Sequence, residues 1–342
     1  MAALARLLLY LGVLAITPDA ALLRWQRSDG ASMPLILVWR YLLVSLFLFA
    51  TALWLHGGIQ PLLAGVAAAP RGLLALAAVL QSLTNIFFTL SLILVEPAQA
   101  LILISLSPVW AALLGRIVLG VSVDARTFAT LTVALASVGI IYAPAILGFS
   151  DSKAATGPSH SSIPLVDVIP LATGVTMAAF VVVVRHLANS HPHASIPAIP
   201  AIGAAISCIG SLGFEVSRGA NLLPPLYWNF WPALGLNALA VTAYYGGISS
   251  ASKKIPPTEV AIAMLGETVL APAWMFFCYG EVPSVYTIAG GALLLSALAV
   301  KELLHAKNSF VEVPLVSRSS RSSIDFHFFP VDAPDNEWCM YL

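Results

Sequence analysis

Glu267 lies near the centre of the apolar run 257–279. An ionised carboxylate at the middle of a membrane-spanning helix costs about 2.5 to 3.5 kcal/mol on insertion scales. Such a residue has a cationic partner or substrate, carries a proton, or sits neutral in a hydrogen bond to a neighbouring helix. A carboxyl that exchanges a proton at that depth suits proton-coupled movement of a solute. Arg40 is a second ionisable group, about a turn and a half inside one end of the run 34–55. Its guanidinium either snorkels to the membrane interface or binds a carboxylate or a substrate. Arg116, nearer the end of its run, reads as a charge that sets orientation.

Uncharged polar residues align beside these two. Gln81, Ser82, Asn85 and Thr89 stand in the run 72–94, and the steps of four from 81 to 85 to 89 lay them along one helical face. The run 230–249 carries Asn237, Thr242, Tyr244 and Tyr245, with Asn237 and Tyr244 on the same side. A polar stripe on an apolar helix turns inward, where its members either bond between helices or line a shared cavity. Trp39, Tyr244, Tyr245 and Trp274 offer rings to the apolar part of a solute, and the tryptophans equally suit lipid or helix packing.

Only a membrane fold can position such residues in this chain. Of 342 residues, 59% are hydrophobic and 9% charged, with balanced acids and bases, against about 25% charged in a soluble domain. That balance leaves no basic surface for nucleic acid. Apolar runs of about 20 residues fall at 4–23, 34–55, 72–94, 97–119, 127–148, 164–185, 196–215, 230–249, 257–279 and 284–304. Lys and Arg collect on the cytoplasmic side of short loops. With the N-terminus inside, Arg6, Arg71, Arg116, Arg126, Arg185, Lys253, Lys254, Lys301, Lys307, Arg318 and Arg321 fall inside, against Arg24, Arg27, Lys153 and Arg218 outside. An even number of spans with both termini cytoplasmic fits that bias.

A shift of 160 residues lays Pro97 on Pro257, Gly120 on Gly280 and Thr127 on Thr287. Five spans per unit is odd, so the second unit enters the membrane inverted. The expected fold is all-α and integral to the membrane: ten transmembrane helices as two inverted five-helix repeats, 1–148 and 164–305, joined by a Ser-, Gly- and Pro-rich linker, 149–163. Residues 306–342 read as a disordered cytoplasmic tail. The apolar start of the chain reads as the first span rather than a cleaved signal. Pro97, Pro108, Pro257 and Pro272 begin or interrupt spans, and Gly203, Gly210, Gly290 and Gly291 read as close-packing positions.

Two stretches resemble the EamA-type transporters of the drug/metabolite transporter superfamily. They are PAQALILISLSPVWAALLGRIVLG, Pro97 to Gly120, and PPTEVAIAMLGETVLAPAWMFFCYGEVPSVYTIAGGALLL, Pro256 to Leu295, with its Gly280–Glu281 and Gly290–Gly291 pairs. Arg40 in Val38 to Arg40 is similar to the family's second-span arginine. The chain departs at Val121, where family members often repeat the helix-end Glu, and Glu281 therefore reads as a capping or interfacial residue. The resemblance implies a secondary carrier for a small polar organic metabolite, working by alternating access around a midplane cavity. Glu267, Arg40, Gln81, Asn85, Asn237, Tyr244 and Tyr245 are its binding or coupling candidates.

A channel or receptor is the alternative, though neither predicts two inverted units. A membrane enzyme would need nucleophiles, bases or metal ligands gathered at one depth. The histidines at 56, 160, 186, 191, 193, 305 and 327 instead fall at run ends, in loops or in the tail. No catalytic residue, cofactor or metal is expected. The expected partners are a small-molecule metabolite and the lipid bilayer, and a homodimer is compatible with this reading.

Overall fold

The computed structural model describes residues 2–28, 31–119, 125–147, 165–191, 193–219, 230–251 and 257–311. The linker 149–163, the tail beyond Val311, and Gly120, Val121, Lys253 and Lys254 lie outside these described residues. The helices are α1 (Ala2–Ile16), α2 (Asp19–Ser28), α3 (Met33–His56), α4 (Ile59–Ala67), α5 (Arg71–Leu94), α6 (Pro97–Ile104), α7 (Ser107–Leu119), α8 (Ala125–Leu147), α9 (Val168–Ser190), α10 (Ala198–Ser217), α11 (Phe230–Ala251), α12 (Pro257–Tyr279) and α13 (Val285–Val311). No strand occurs among the described residues. Six stretches among them are long and apolar enough to cross a membrane: Ala3–Ser28, Met33–His56, Arg71–Leu94, Pro97–Ile117, Leu165–Ala188 and Ala198–Ser217.

Apolar side chains cover both sides of these helices. On α1, Ala5, Leu9, Val13 and Ile16 are buried, while Leu4, Leu7, Leu11 and Leu14 are exposed. A helix apolar all round is expected where the surrounding medium is lipid. The protein is accordingly a multi-pass membrane protein.

Two of the apolar runs are broken. In the first, Pro18 has no N–H to continue the helix. Thr17 closes α1 by turning its hydroxyl onto the Leu14 carbonyl at 2.8 Å, and the ladder resumes with the Leu22 N–H on the Pro18 carbonyl at 2.9 Å. In the run 97–119, Pro108 likewise cannot donate to Ile104. The chain there tightens into three-residue turns, Leu106 N–H to Leu103 at 3.3 Å and Val109 N–H to Leu106 at 2.9 Å. The second break lies beside Pro108, one of the prolines read as beginning or interrupting spans, whereas the first divides the run 4–23, whose rod continues to Ser28.

The rods pack in antiparallel pairs: α1 on α11, α3 on α10, α5 on α9, and α8 on α13, with α10 also against α5 and α11 against α3. We call the end at which α1 starts the lower end. α12 climbs parallel to α1, since Gly266 lies by Val13, Trp274 bonds Thr17 and Tyr279 bonds Ala21. Gly280, with φ of 68°, ends α12 in the left-handed conformation that suits glycine, and α13 returns to the lower end.

Glycines set the closest contacts. A Cβ on Gly12 would meet the Ala243 carbonyl at 2.6 Å, and one on Gly247 the Leu8 carbonyl at 2.6 Å. Gly290 abuts Ile141 and Ser137, Gly291 abuts Ile102, and Gly203 lies on the Gln81 stem. Gly210 faces open space, which corrects its reading as a packing position.

Gly247→Leu or Gly12→Leu should therefore lower stability by about 1 to 3 kcal/mol through overpacking, read as a drop in thermal unfolding temperature in detergent. Gly210→Ala should leave that temperature unchanged or slightly raised.

Candidate functional site: a cavity capped by a buried ion pair

The break after α1 places Asp19 in the first turn of α2, facing α3. There Arg40 grips it with both terminal nitrogens, Nη1 to Oδ1 at 3.0 Å and Nη2 to Oδ2 at 2.9 Å. Asn237 of α11 donates its Nδ2 to Asp19 Oδ1 as well. Arg40 and Asp19 are each 2% exposed and Asn237 is fully buried. Arg40 therefore does not snorkel; of the two readings open in the sequence, the carboxylate-bound one holds, with a carboxylate of the chain itself. Burial of a charge pair is tolerable only with such geometry, because each ion loses several kcal/mol of hydration.

Below this pair lies a cavity of about 200 Å³. Arg40 and Tyr41 of α3, Gln81, Thr84 and Asn85 of α5, Tyr244 and Tyr245 of α11, and Glu267 and Thr268 of α12 contribute to its wall. The α6–α7 break supplies Ser105, Ser107 and Pro108. Six of the seven candidate residues thus meet around one space. Asn237 does not line it and stands one layer behind, on Asp19.

A polar network fixes the wall. Gln81 donates to Asn85 Oδ1 at 2.9 Å and to the Tyr245 hydroxyl at 2.7 Å. Asn85 Nδ2 reaches Ser207 at 3.4 Å, and Ser207 in turn bonds Ser82 at 3.1 Å. The Tyr41 hydroxyl bonds the Asn85 carbonyl and sits 2.6 Å from Thr89 Oγ1. Gly203 lets α10 approach closely enough to hold the Gln81 stem in place. Glu267 is the exception, since no hydrogen bond from a described residue reaches its carboxyl.

The upper end is tied shut above the ion pair. Arg24 of α2 pairs with Glu281 beyond α12, and Arg24 also lies 5.3 Å from the Tyr279 ring centroid. Glu281 is thus the ion-pair partner of Arg24. Trp274 donates to Thr17 at 2.9 Å, and Trp39 meets Trp231 edge to face at 5.3 Å, so both tryptophans pack between helices outside the cavity. The lower part of the wall is apolar, with Ala111, Val181, Ile248 and Met264. His186, His191 and His193 form no metal-ligating group among the described residues.

Asp19 and Tyr41 are the site residues that hydropathy reading missed. The signal was present in the Thr17–Pro18–Asp19 triplet, where a helix breaker adjoins an acid inside an apolar run.

Comparison with known proteins fits this geometry. Residues 5–143 match the EamA-like transporter family. The second resembling stretch, Pro256 to Leu295, lies beyond that match. Among solved structures, 12 chains match. One of them, titled only "Crystal structure of protein", has a TM-score of 0.55 at 18% identity and covers 90% of this chain and 99% of its own. At that identity the likeness is one of fold. No curated protein matches the chain.

Asp19→Ala should cost about 3 to 5 kcal/mol, because it leaves the Arg40 charge buried and unpaired. The double variant Asp19→Leu, Arg40→Met should recover much of that loss, and additive losses in thermal unfolding would contradict the pairing.

Proposed function

We propose that this chain, whose residues 5–143 are EamA-like, is a secondary carrier that moves a small organic metabolite by alternating access around the cavity beneath Arg40. The single observation that carries the reading is a partly polar cavity near the middle of the helices, walled by helices from both halves of the chain. Inverted-repeat carriers place their site there, next to broken helices. The α1–α2 and α6–α7 breaks lie at that depth.

Two repeats, 1–148 and 164–305, account for the packing. Exchanging each rod of the first half with its counterpart in the second turns the α1–α11 pair into the α9–α5 pair. The same exchange turns α3–α11 into α10–α5 and the α6/α7–α9 contact into α12–α1, while α3–α10 and α8–α13 map onto themselves. A two-fold axis in the membrane plane between inverted units would generate that pattern. The lower-end location of the start of α1 and the end of α13, with the Lys and Arg bias, supports cytoplasmic termini. The cavity is complete within one chain, so a homodimer is not required to form the site.

In this mechanism the Asp19–Arg40–Asn237 cluster and the Arg24–Glu281 pair close the upper side while solute enters from below. Rocking of the halves parts those contacts and brings together the apolar lower wall. Gln81, Asn85, Tyr244 and Tyr245 contact the solute, Asn237 holds the closed state, and Glu267 couples substrate or proton binding to the motion.

The test is transport by the purified protein in vesicles, using a labelled solute chosen by thermal-shift screening of amino acids, sugar nucleotides, organic acids and nucleobases. A carrier gives saturable flux and counterflow, whereas flux that rises without saturation would indicate a pore. Glu267→Gln should lower the flux by about tenfold or more and flatten its pH dependence; unchanged flux and pH dependence would remove Glu267 from the mechanism.

A further inference from the structure

The charges on the cavity wall are unequal in what they have left to offer. Arg40 and Glu267 are its members with charged side chains. Each terminal nitrogen of Arg40 gives an N–H to Asp19, with near-ideal bidentate geometry. Its remaining nitrogen, Nε, is buried and has no partner among the described residues. A full carboxylate therefore balances the arginine before any solute arrives. Glu267 has no donor from the described residues. The acidic group that the wall can offer to a ligand, with no hydrogen-bond partner among the described residues, is consequently the Glu267 carboxyl.

The uncharged wall fits the same kind of guest. Tyr244 and Tyr245 stand edge to face with centroids 5.8 Å apart, and Tyr41, Phe88 and Phe180 add further rings. Aromatic faces attract a desolvated ammonium group through the negative face of the ring quadrupole. Met177 and Met264 are soft surfaces that adapt to an apolar body. A volume of about 200 Å³ is somewhat larger than the roughly 150 Å³ cavity that admits benzene, which limits the guest to about ten non-hydrogen atoms.

We infer that the solute is a monovalent organic cation, an ammonium group on a small apolar or aromatic body, with its nitrogen at Glu267 and its body against the tyrosines. This rests on the carrier reading for the meaning of the cavity. An anion would face the Glu267 carboxyl beside an Arg40 whose charge Asp19 already balances, and a neutral molecule would leave that carboxyl without a cationic partner.

Three probes of nearly equal size separate the cases: phenethylamine (cation), 2-phenylethanol (neutral) and phenylacetate (anion). With the purified full chain, phenethylamine should raise the unfolding temperature at millimolar concentration while the other two leave it unchanged. Glu267→Gln should weaken phenethylamine binding by about tenfold to a hundredfold, the range expected for a lost charge-assisted hydrogen bond. Glu267→Asp, which keeps the charge, should retain the preference for the cation even where Glu267→Gln does not fold. Equal stabilisation by all three, a preference for phenylacetate, or no effect of phenethylamine on the wild type would overturn the inference. Glu267-dependent binding of phenethylamine without counterflow in vesicles would uphold the cation site and defeat the carrier reading. Counterflow of phenylacetate with none of phenethylamine would do the reverse.

Discussion

A guanidinium and a carboxylate locked together, each only 2% exposed, are the constraint on which the site in this bundle depends. Asp19 is brought into position by the break at Thr17 and Pro18, Arg40 by α3, and the third member, Asn237, by α11. The cluster therefore ties three rods from both halves of the chain at one depth. It also bears on the electrostatics below it, because an arginine already matched by an acid leaves the Glu267 carboxyl as the acidic group of the wall without a hydrogen-bond partner among the described residues. Without Asp19 the same cavity would carry on its wall an arginine with no carboxylate bound to it.

Lipid adds a second constraint, since backbone polar groups in the membrane must be satisfied within the protein. The two broken rods meet it differently. At Thr17 a side-chain hydroxyl takes up the Leu14 carbonyl. At Ser105 and Leu106 the chain tightens its turns, and Ser105 bonds the Ile102 carbonyl at 2.7 Å. Both breaks are bounded by the cavity or by the ion pair that caps it, so the weakest points of the helical ladder coincide with the place where motion is proposed. The intact α5, by contrast, carries the polar stripe as a rigid spine, with each hydroxyl or amide anchored to a neighbour.

The helical runs and the polar stripe were legible because both follow from periodicity. Gln81, Asn85 and Tyr245 fall together through a step of four on α5 and the facing position of α11. The kinks were less legible, since a broken span and a straight one share the same mean hydropathy. Pro108 signalled its break, while Pro18 and Asp19 were diluted by the leucines around them. Gly203 and Gly210 show a different limit. They lie on nearly the same helical face, yet only Gly203 meets a neighbour, because two crossing helices touch closely at one depth alone.

The account depends most directly on the cavity being reached from each side of the membrane in turn. A single cysteine at Ser105, on the cavity wall, introduced with Cys208, Cys278 and Cys339 replaced, can be challenged with a membrane-impermeant maleimide in right-side-out and inverted vesicles. Labelling from both sides, in a ratio that shifts when transported solute is added, is the predicted result. Labelling from one side under every condition, in protein that still transports, would contradict it.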